Sequence, residues 1–295
     1  MFTNLFRRLW RPTIESELVR ARTQKQLDLA QGANALLQIL LRQRWSEGRM
    51  RSQFDDIQFR AYSQNGEDGI LLYIFALIGT TNKQCVEICA GDGIECNTAN
   101  LIITHGWSGL LVDGSVENIE RARRFYSECP DTLAWPPQVV RAWVTVENVN
   151  QLVGEHGFRG EIDLLSLDLD GIDYWVWKAL DEIQPRVVVL EYNDLWGPDK
   201  AVTIPYRRDF RATFPGGVAD YVGASLNAFV KLGKCKGYRL VGCERLGFNA
   251  FFVRMGIGEE LLPEIEPKEC FQHPKVRHGI EKRLPNVINR EWVSV

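Results

Sequence analysis

Residues 85–98 read CVEICAGDGIECNT, an apolar run that leads into a glycine-rich turn and then into the start of a helix. Gly91 and Gly93 permit a tight turn and allow a ligand to approach the backbone closely. Asn97 is predicted to cap the helix, which should end at Gly106. A strand, a glycine-rich turn and a helix in this order are typical of the first turn of an open α/β sheet, where ligands bind. The stretch therefore predicts both a fold class and the position of a ligand site.

Short apolar runs alternate with helical segments along the chain, as in repeated βα units. Most of these runs are too apolar for a sheet with one wet face, so helices should cover both faces. Residues 238–242 and 249–254 lie too close together for a crossover helix and should pair as an antiparallel hairpin. We expect an α/β, Rossmann-like methyltransferase fold, with a mostly parallel seven-stranded sheet that ends in this hairpin. The parallel strands are predicted at residues 84–88, 109–112, 139–144, 162–169 and 186–190.

The 295 residues are enough for one large α/β domain with an extension at each end. We expect an amphipathic helical extension over residues 1–55, the catalytic domain over residues 56–258 and a C-terminal extension over residues 259–295. Residues 1–60 contain eleven Lys or Arg and six Asp or Glu, whereas the whole chain has a net charge of −3, so the rest of the chain is acidic. Because binding to duplexes needs basic surfaces, nucleic acid is not expected as a partner.

The N-terminal extension is predicted to form a long helix in which Leu29, Ala33, Leu36 and Leu40 share one apolar face. Self-association into a homo-oligomer, or docking on the catalytic domain, would cover this face. The alternative is peripheral attachment to a membrane through the apolar residues and arginines of residues 2–11. A cytoplasmic protein with reduced thiols is expected, because no apolar run spans a bilayer, no secretory signal is recognisable and the seven cysteines form no Cys-x-x-Cys pair.

The glycine-rich turn carries three acidic residues, Glu87, Asp92 and Glu95, which would repel a pyrophosphate group. The third glycine of a dinucleotide-binding fingerprint would fall at Cys96, so the fingerprint is incomplete. Acidic side chains suit the cationic amino and sulfonium groups of S-adenosylmethionine. We therefore predict S-adenosylmethionine as the cofactor.

The next two strands supply further predicted contacts to this cofactor. Asp113, followed by Gly114 and Ser115, ends the second strand about twenty residues further on, where a carboxylate can hold both ribose hydroxyls. Ala142 and Trp143 follow the third strand, where the adenine ring should rest. For Trp143, a place in the hydrophobic core is the other interpretation.

Acidic residues also mark the ends of the fourth and fifth strands. By the period of two, Ser166, Asp168 and Asp170 should share one side of the fourth strand, and Glu191 and Asn193 should join them from the fifth. Asp168, Asp170 and Glu191 are the predicted catalytic residues, and their oxygens could bind Mg²⁺ or Mn²⁺ and lower the pKa of a substrate hydroxyl. Alternatively, Asp168 and Asp170 cap the following helix and hydrogen-bond the cofactor without a metal.

With these residues in view, the chain resembles the FkbM-type family of S-adenosylmethionine-dependent methyltransferases over about residues 60–255. The likeness rests on residues 62–69, 87–98, 110–115, 163–173 and 223–226. It departs at Cys89, where the family usually has glycine, and at Asp170, where many members have Glu. The resemblance implies that residues 63–68 cover the cofactor and that Asp168 lies near the transferred methyl group. The full set of predicted cofactor contacts is Gln64, Asn65, Glu67, Glu87, Ala90, Gly91, Asp92, Gly93, Asn97, Asp113, Gly114, Ser115, Ala142, Trp143 and Asp168.

The resemblance implies O-methylation of a saccharide or another hydroxylated small molecule, so that the expected partner is a small-molecule or glycan acceptor. Residues 196–219, rich in proline, glycine and aromatic side chains, should form a lid over this acceptor. One alternative is a catalytically silent Rossmann-like subunit that serves as an interaction protein in an assembly. A nicotinamide-dependent oxidoreductase is opposed by the missing third glycine and the terminal hairpin.

Overall fold

The computed structural model describes residues 33, 35–48, 52–217 and 219–295. The chain divides into two compact units, Met1–Arg51 and Ser52–Val295. In the first unit, residues 35–46 are helical, and Leu36 and Leu40 of the predicted apolar face are exposed. Leu29 and residues 2–11 lie outside the described residues. Within the part of the chain described, no helix is both long enough and apolar enough to cross a membrane.

The second unit is built around a sheet of seven strands in the order β3-β2-β1-β4-β5-β8-β7. The strands of this unit are β1 (Gln84–Ile88), β2 (Ser108–Asp113), β3 (Gln138–Arg141), β4 (Gly160–Leu167), β5 (Ile183–Glu191), β6 (Val202–Thr203), β7 (Tyr238–Cys243), β8 (Asn249–Arg254) and β9 (Val293–Ser294). Strands β1 to β5 run parallel to one another, whereas β8 is antiparallel to β5 and to β7. The predicted fold, a mostly parallel seven-stranded sheet that ends in an antiparallel hairpin, is confirmed.

Helices connect the parallel strands and cover the sheet. They are α1 (Phe54–Ile57), α2 (Glu67–Ile78), α3 (Ala99–His105), α4 (Val116–Glu128), α5 (Val149–Glu155), α6 (Asp173–Ala179), α7 (Leu226–Lys236) and α8 (Pro274–Lys282). Val187, Val188, Val189 and Leu190 of β5 are all fully buried. Because successive side chains of a strand point to opposite faces, both faces of the sheet are covered at β5. Gly106 ends α3 in the left-handed conformation, as predicted.

Two strands end earlier than the apolar runs suggest. β3 stops at Arg141, although the apolar run continues to Val144, and only the N–H of Ala142 still bonds to Asp113, at 3.0 Å. β4 stops at Leu167 rather than at residue 169. Both early ends lie at the carboxyl edge of the sheet, where the chain turns away to form a ligand crevice.

The C-terminal residues return to the loop after β5. β9 pairs with β6 in a separate two-stranded antiparallel sheet. The N–H of Ile265 bonds to the carbonyl of Leu240 at 3.0 Å, and Lys231 donates to the carbonyl of Val295 at 2.9 Å. The segment predicted as a C-terminal extension therefore belongs to the same compact unit as the sheet.

Candidate functional site

The glycine-rich turn after β1 has three residues in the left-handed region of backbone conformation. Cys89, Gly91 and Gly93 have φ angles of 62°, 57° and 68°. Only glycine adopts such angles without a steric cost, so Cys89 carries a backbone strain that glycine at this position would not. A Cβ on Gly93 would lie only 3.1 Å from the side chain of Leu111 and 3.4 Å from that of Tyr126. Glycine at position 93 thus serves both the backbone angle and the packing of the turn.

Glu87 lies on β1 beneath this turn, with only 5% of its surface exposed. Its Oε1 accepts hydrogen bonds from the N–H of Asn97 and the hydroxyl of Ser166, both at 3.0 Å. Its Oε2 accepts from the N–H of Thr98, at 2.8 Å, and from the Thr98 hydroxyl. All of the roughly four acceptor positions of the carboxylate are therefore occupied. Glu87 therefore anchors the turn and the start of α3, which leaves no acceptor position free for the predicted contact with the cofactor.

Asn97 does not cap α3 with its side chain, contrary to the prediction. The side-chain amide donates to the hydroxyl of Ser166 at 3.1 Å instead. Thr98 occupies the N-cap position without a side-chain capping bond. The carboxylate of Glu87 instead binds the N–H groups of Asn97 and Thr98, just before the first turn of α3.

Backbone N–H groups at the start of the turn are bonded within the protein. The N–H of Gly91 donates to Oδ2 of Asp113 at 3.1 Å, and that of Gly93 donates to the carbonyl of Ala90 at 2.9 Å. The N–H of Ala90 itself bonds to the carbonyl of Val112 at 3.0 Å. Ala90 is buried, so the structure does not support its predicted contact with the cofactor.

Asp92 occupies the next two N–H groups. Its Oδ1 accepts from the N–H of Ile94 at 3.1 Å and from that of Glu95 at 3.4 Å. Its Oδ2 forms an ion pair with Arg121 at 2.8 Å. The charge of Asp92 is thus shared with the turn and with α4. The carboxylates of Asp92 and Glu87 together accept hydrogen bonds from backbone N–H groups of the turn.

Asp113 ends β2 and is held by three donors. Its Oδ1 accepts from the N–H of Ser115 at 2.8 Å and from the side-chain amide of Asn118 at 3.1 Å. Its Oδ2 accepts from the N–H of Gly91. Because a carboxylate offers about four acceptor positions, about one is left for a ribose hydroxyl. We therefore expect Asp113 to accept from one ribose hydroxyl rather than from both.

A cavity of about 660 Å³ opens beside Asp113. Its volume lies in the range typical of small-molecule sites. Trp143 is 47% exposed in its wall, so it does not lie in the hydrophobic core. The predicted contacts that line this cavity are Asp113, Gly114, Ser115, Ala142 and Trp143. The lining residues that were not predicted are Cys89, Arg141, Leu169 and Arg211.

The polar segment before α2 contributes less than predicted. Glu67 is fully buried, where it accepts from the side-chain amide of Asn249 and from the N–H of Asn65, both at 2.8 Å. The structure therefore gives no support to its predicted contact with the cofactor. Gln64 is exposed and donates to Glu95 of the glycine-rich turn at 3.0 Å. Gln64 and Asn65 border the turn but do not line the cavity.

Asp168, Asp170 and Glu191 meet at the carboxyl ends of β4 and β5. One carboxylate oxygen from each lies within 4.8 Å of those from the other two. The alternation of side chains along a strand does not explain why the three carboxylates lie together, because β4 ends at Leu167 and Asp170 adopts a φ of 52°. Within the part of the chain described, Oδ1 of Asp168 is buried and has no hydrogen-bond partner. We call Asp168, Asp170 and Glu191 the acidic trio.

The acidic trio disfavours its own full ionisation. Burial raises the pKa of the Asp168 carboxyl, and the charges of Asp173 and Asp170 add to this effect. Burial and the neighbouring Asp168 raise the pKa of Glu191 well above its usual range. Burial also raises the pKa of Asp170, and it raises the pKa of Asp173 to about 6 although two backbone N–H groups stabilise that carboxylate. In the absence of a cation, protons must offset part of the negative charge.

Two polar residues that were expected at the same rim have structural roles. Ser166 is buried and bonds to Glu87 and Asn97. Asn193 is buried and donates to the carbonyls of Asp220, at 3.1 Å, and Val222, at 3.0 Å. Neither side chain belongs to the acidic trio.

The segment predicted as a lid contacts both parts of the site. Trp143 donates from its indole N–H to the carbonyl of Arg208 at 3.2 Å. A Cβ on Gly171 would lie 2.6 Å from the ring of Phe210, so this ring packs directly on the turn that carries Asp170. The residues of this segment, which we call the lid segment after the prediction, therefore join the cavity beside Asp113 to the acidic trio.

No protein-family model and no curated protein matches the chain. Among solved structures, the chain is similar to an S-adenosylmethionine-dependent methyltransferase from Clostridium acetobutylicum ATCC 824, with 12% identity, coverage of 65% of this chain and 93% of the other, and a TM-score of 0.42. It is also similar to magnesium protoporphyrin IX methyltransferase from Synechocystis PCC 6803 with bound SAM, with 13% identity, coverage of 64% and 77%, and a TM-score of 0.40. A third similar structure is the N-terminal domain of EvdMO1 in the presence of SAH and D-fucose, with 14% identity, coverage of 72% and 94%, and a TM-score of 0.42.

Proposed function

We propose that this protein is an S-adenosylmethionine-dependent methyltransferase. The observation that carries the proposal is the state of the turn after β1, in which six backbone N–H groups of residues 91–98 are already bonded to protein acceptors. A dinucleotide needs such donors for its pyrophosphate. S-adenosylmethionine has no phosphate and brings an ammonium and a sulfonium group, which suit a turn supported by carboxylates.

The cofactor would lie across the carboxyl ends of β1, β2 and β3. The adenine ring would rest against Trp143 and Ala142, and the ribose would donate one hydroxyl to Asp113. The methionyl group would lie along the turn, near Gly91 and Gly93. In this orientation the methyl group faces the acidic trio, since the cavity wall continues through Leu169 toward Asp168 and Asp170.

The acceptor in this proposal is a saccharide or another hydroxylated small molecule. Proximity of the hydroxyl to the sulfonium group would supply most of the rate, because methyl transfer needs an in-line approach of two bound reactants. The acidic trio would receive the proton that the hydroxyl loses. A catalytically silent subunit is the less favoured alternative, because it would not require three ionisable carboxyls beside the cavity.

The acidic trio also has the chemistry of a divalent cation site. Oxygen atoms bound to one Mg²⁺, Mn²⁺ or Ca²⁺ ion lie up to about 4–5 Å apart, which matches the limit of 4.8 Å among Asp168, Asp170 and Glu191. The buried Oδ1 of Asp168 lacks a partner that such an ion would provide. We propose Mg²⁺ or Mn²⁺ here. A bound ion would lower the pKa of an acceptor hydroxyl.

Replacement of Asp113 by Ala tests the cofactor site. We expect the Kd for S-adenosylhomocysteine, measured by calorimetry, to rise about tenfold or more, since a charged acceptor for the ribose and the anchor of Gly91 are both lost. Asp181→Ala is the matched control, because Asp181 is exposed and its one ion pair within the described residues is with Lys236. Equal Kd values for Asp113→Ala and the parent protein would remove Asp113 from the site.

Binding of Mn²⁺, followed by electron paramagnetic resonance, tests the cation site without any acceptor. We expect Asp168→Asn to lose Mn²⁺ binding and to keep its affinity for S-adenosylhomocysteine, whereas Asp181→Asn should keep both. If Asp168→Asn binds Mn²⁺ as the parent does, the cation site is not at the acidic trio. A carboxylate would then act directly as the base.

A further inference from the structure

A second cavity, of about 370 Å³, adjoins the cofactor cavity. Three distant stretches of the chain build it: the lid segment, Tyr221, and the residues just before β9. Arg211 lines both cavities, so the two cavities meet at this residue. The lining residues are Pro205, Arg207, Asp209, Phe210, Arg211, Tyr221, Arg290 and Glu291.

Two of the three arginines in this second cavity stack on aromatic rings. The guanidinium of Arg211 lies 4.5 Å from the ring centroid of Trp143, and that of Arg290 lies 3.9 Å from the centroid of Tyr221. Stacking orients a guanidinium group while it leaves the N–H donors at the group's edge available. Among the residues that the structure describes, neither arginine forms an ion pair.

The carboxylates of the second cavity neutralise it only in part. Glu291 is paired with Arg207 at 3.4 Å, and both side chains are exposed to water. The hydroxyl of Tyr221 donates to the carbonyl of Glu291 at 2.7 Å, which fixes the wall that carries Arg290. With Arg207 matched by Glu291 and only Asp209 left against two guanidinium groups, the cavity retains positive charge.

The second cavity lies beside the reaction centre of the proposed methyltransferase. Phe210, part of its wall, packs on Gly171 next to Asp170 of the acidic trio. A group bound between Arg211 and Arg290 would therefore leave the rest of the same molecule close to the acidic trio. Guanidinium forks match the oxygens of phosphate groups in geometry and charge.

We propose that the second cavity binds a phosphate or diphosphate ester group of the acceptor. This inference rests on the proposed methyltransferase function and narrows its substrate class to phosphorylated hydroxyl compounds. The two guanidinium groups without an ion pair, those of Arg211 and Arg290, offer more donors than a single carboxylate accepts, which favours a phosphate or a diphosphate. The phosphate could belong to a soluble phosphorylated saccharide or to a lipid headgroup, because the recognised chemistry is the same.

Calorimetry with inorganic pyrophosphate, on protein saturated with S-adenosylhomocysteine, tests the inference. We expect pyrophosphate to bind, and Arg211→Gln and Arg290→Gln each to weaken its binding by about tenfold or more, as expected for loss of a charge-assisted contact. Arg159→Gln is the control, since Arg159 is exposed and pairs with Glu182 at the opposite edge of the sheet. Arg290→Gln should leave the affinity for S-adenosylhomocysteine unchanged, because Arg290 does not line the cofactor cavity.

Two further probes identify the source of the phosphate. Tight binding of a nucleoside diphosphate hexose that is lost in Arg290→Gln supports a soluble acceptor. Binding to vesicles with one fifth phosphatidic acid, also lost in Arg290→Gln, supports a lipid acceptor.

Either a failure of pyrophosphate to bind, or equal binding by the parent and both arginine variants, would overturn the inference. If S-adenosylhomocysteine binds and pyrophosphate does not, only the inference about the second cavity fails. If pyrophosphate binds and S-adenosylhomocysteine does not, the proposed methyltransferase function fails and the anion site stands alone.

Discussion

The variant Glu87→Gln tests whether Glu87 positions the glycine-rich turn or contacts the cofactor directly. Glu87 accepts two hydrogen bonds on each carboxylate oxygen, from Asn97, Thr98 and Ser166. Glutamine keeps one oxygen and replaces the other with an NH₂ group, so a backbone N–H then faces a donor and the remaining hydrogen bonds lose their charged acceptor. Each bond to a charged acceptor contributes about 1.5–3 kcal/mol, and the neutral side chain costs less to bury. We therefore expect a loss of about 3 kcal/mol in the free energy of unfolding.

Thermal unfolding measures this loss directly. For a domain of this size, each kcal/mol shifts Tm by about 2–4 °C, so the variant should melt about 6–12 °C below the parent protein. Glu95→Gln is the matched control. Glu95 lies in the same turn but is exposed, and its carboxylate accepts from Gln64. Its Tm should change by no more than about 2 °C.

The two interpretations of Glu87 predict opposite results. If Glu87→Gln melts within about 2 °C of the parent protein while its Kd for S-adenosylhomocysteine rises tenfold, then Glu87 contacts the cofactor and the structural reasoning is refuted.

Three further predictions address the turn, the acidic trio and the N-terminal unit. Cys89→Gly should stabilise the protein by up to about 1 kcal/mol in denaturant titration, because it relieves the backbone strain of the left-handed φ of 62°. The control Cys235→Gly, within α7, should destabilise the protein. A loss of stability in Cys89→Gly would contradict the idea that position 89 is strained. Because the pKa values of the acidic trio are raised in the folded protein, the trio's contribution to stability is greatest below about pH 4 and falls as pH rises through the folded-state values. Without metal, Asp168→Asn should therefore be more stable than the parent protein by about 1–3 kcal/mol at pH 8 and nearly equal to it at pH 4. Equal stability of the two proteins at both pH values would argue against this cost of burying the carboxyl groups. Removal of residues 1–51 should lower the number of subunits per particle, determined by light scattering, and spare cofactor affinity. An unchanged number of subunits, with vesicle binding by the full chain alone, would favour the membrane alternative.

Regular structure followed closely from the sequence where apolar runs end at clear turn signals. The predicted bounds of β1 and β8 match the observed ones, Gln84–Ile88 and Asn249–Arg254. The run through Val144 misled the prediction for β3, because apolar composition does not report where a chain leaves the sheet to form a crevice. Local sequence pattern thus predicted the fold more accurately than it predicted where the strands end at the site.

The site was predicted less completely than the fold, because its roles depend on contacts between distant residues. Glu87 is saturated by Thr98 and by Ser166, which is 79 positions further along, and no local pattern shows this. Arg211 was missed because it lies in an irregular segment without periodicity. The one available signal was the crowding of arginines at positions 207, 208 and 211, which is unusual in a chain that is acidic after residue 60.

Calorimetric titration with S-adenosylhomocysteine and, separately, with NAD⁺ and NADP⁺ tests the central claim most directly. We expect one S-adenosylhomocysteine to bind per chain and neither nicotinamide nucleotide to bind in the cofactor cavity, because the N–H groups that would hold a pyrophosphate are already bonded to Glu87, Asp92 and Asp113. S-adenosylhomocysteine should also raise Tm, since a ligand bound only by the folded protein stabilises it. Binding of a nicotinamide nucleotide that Asp113→Ala abolishes, with no heat from S-adenosylhomocysteine at millimolar concentration, would contradict the account.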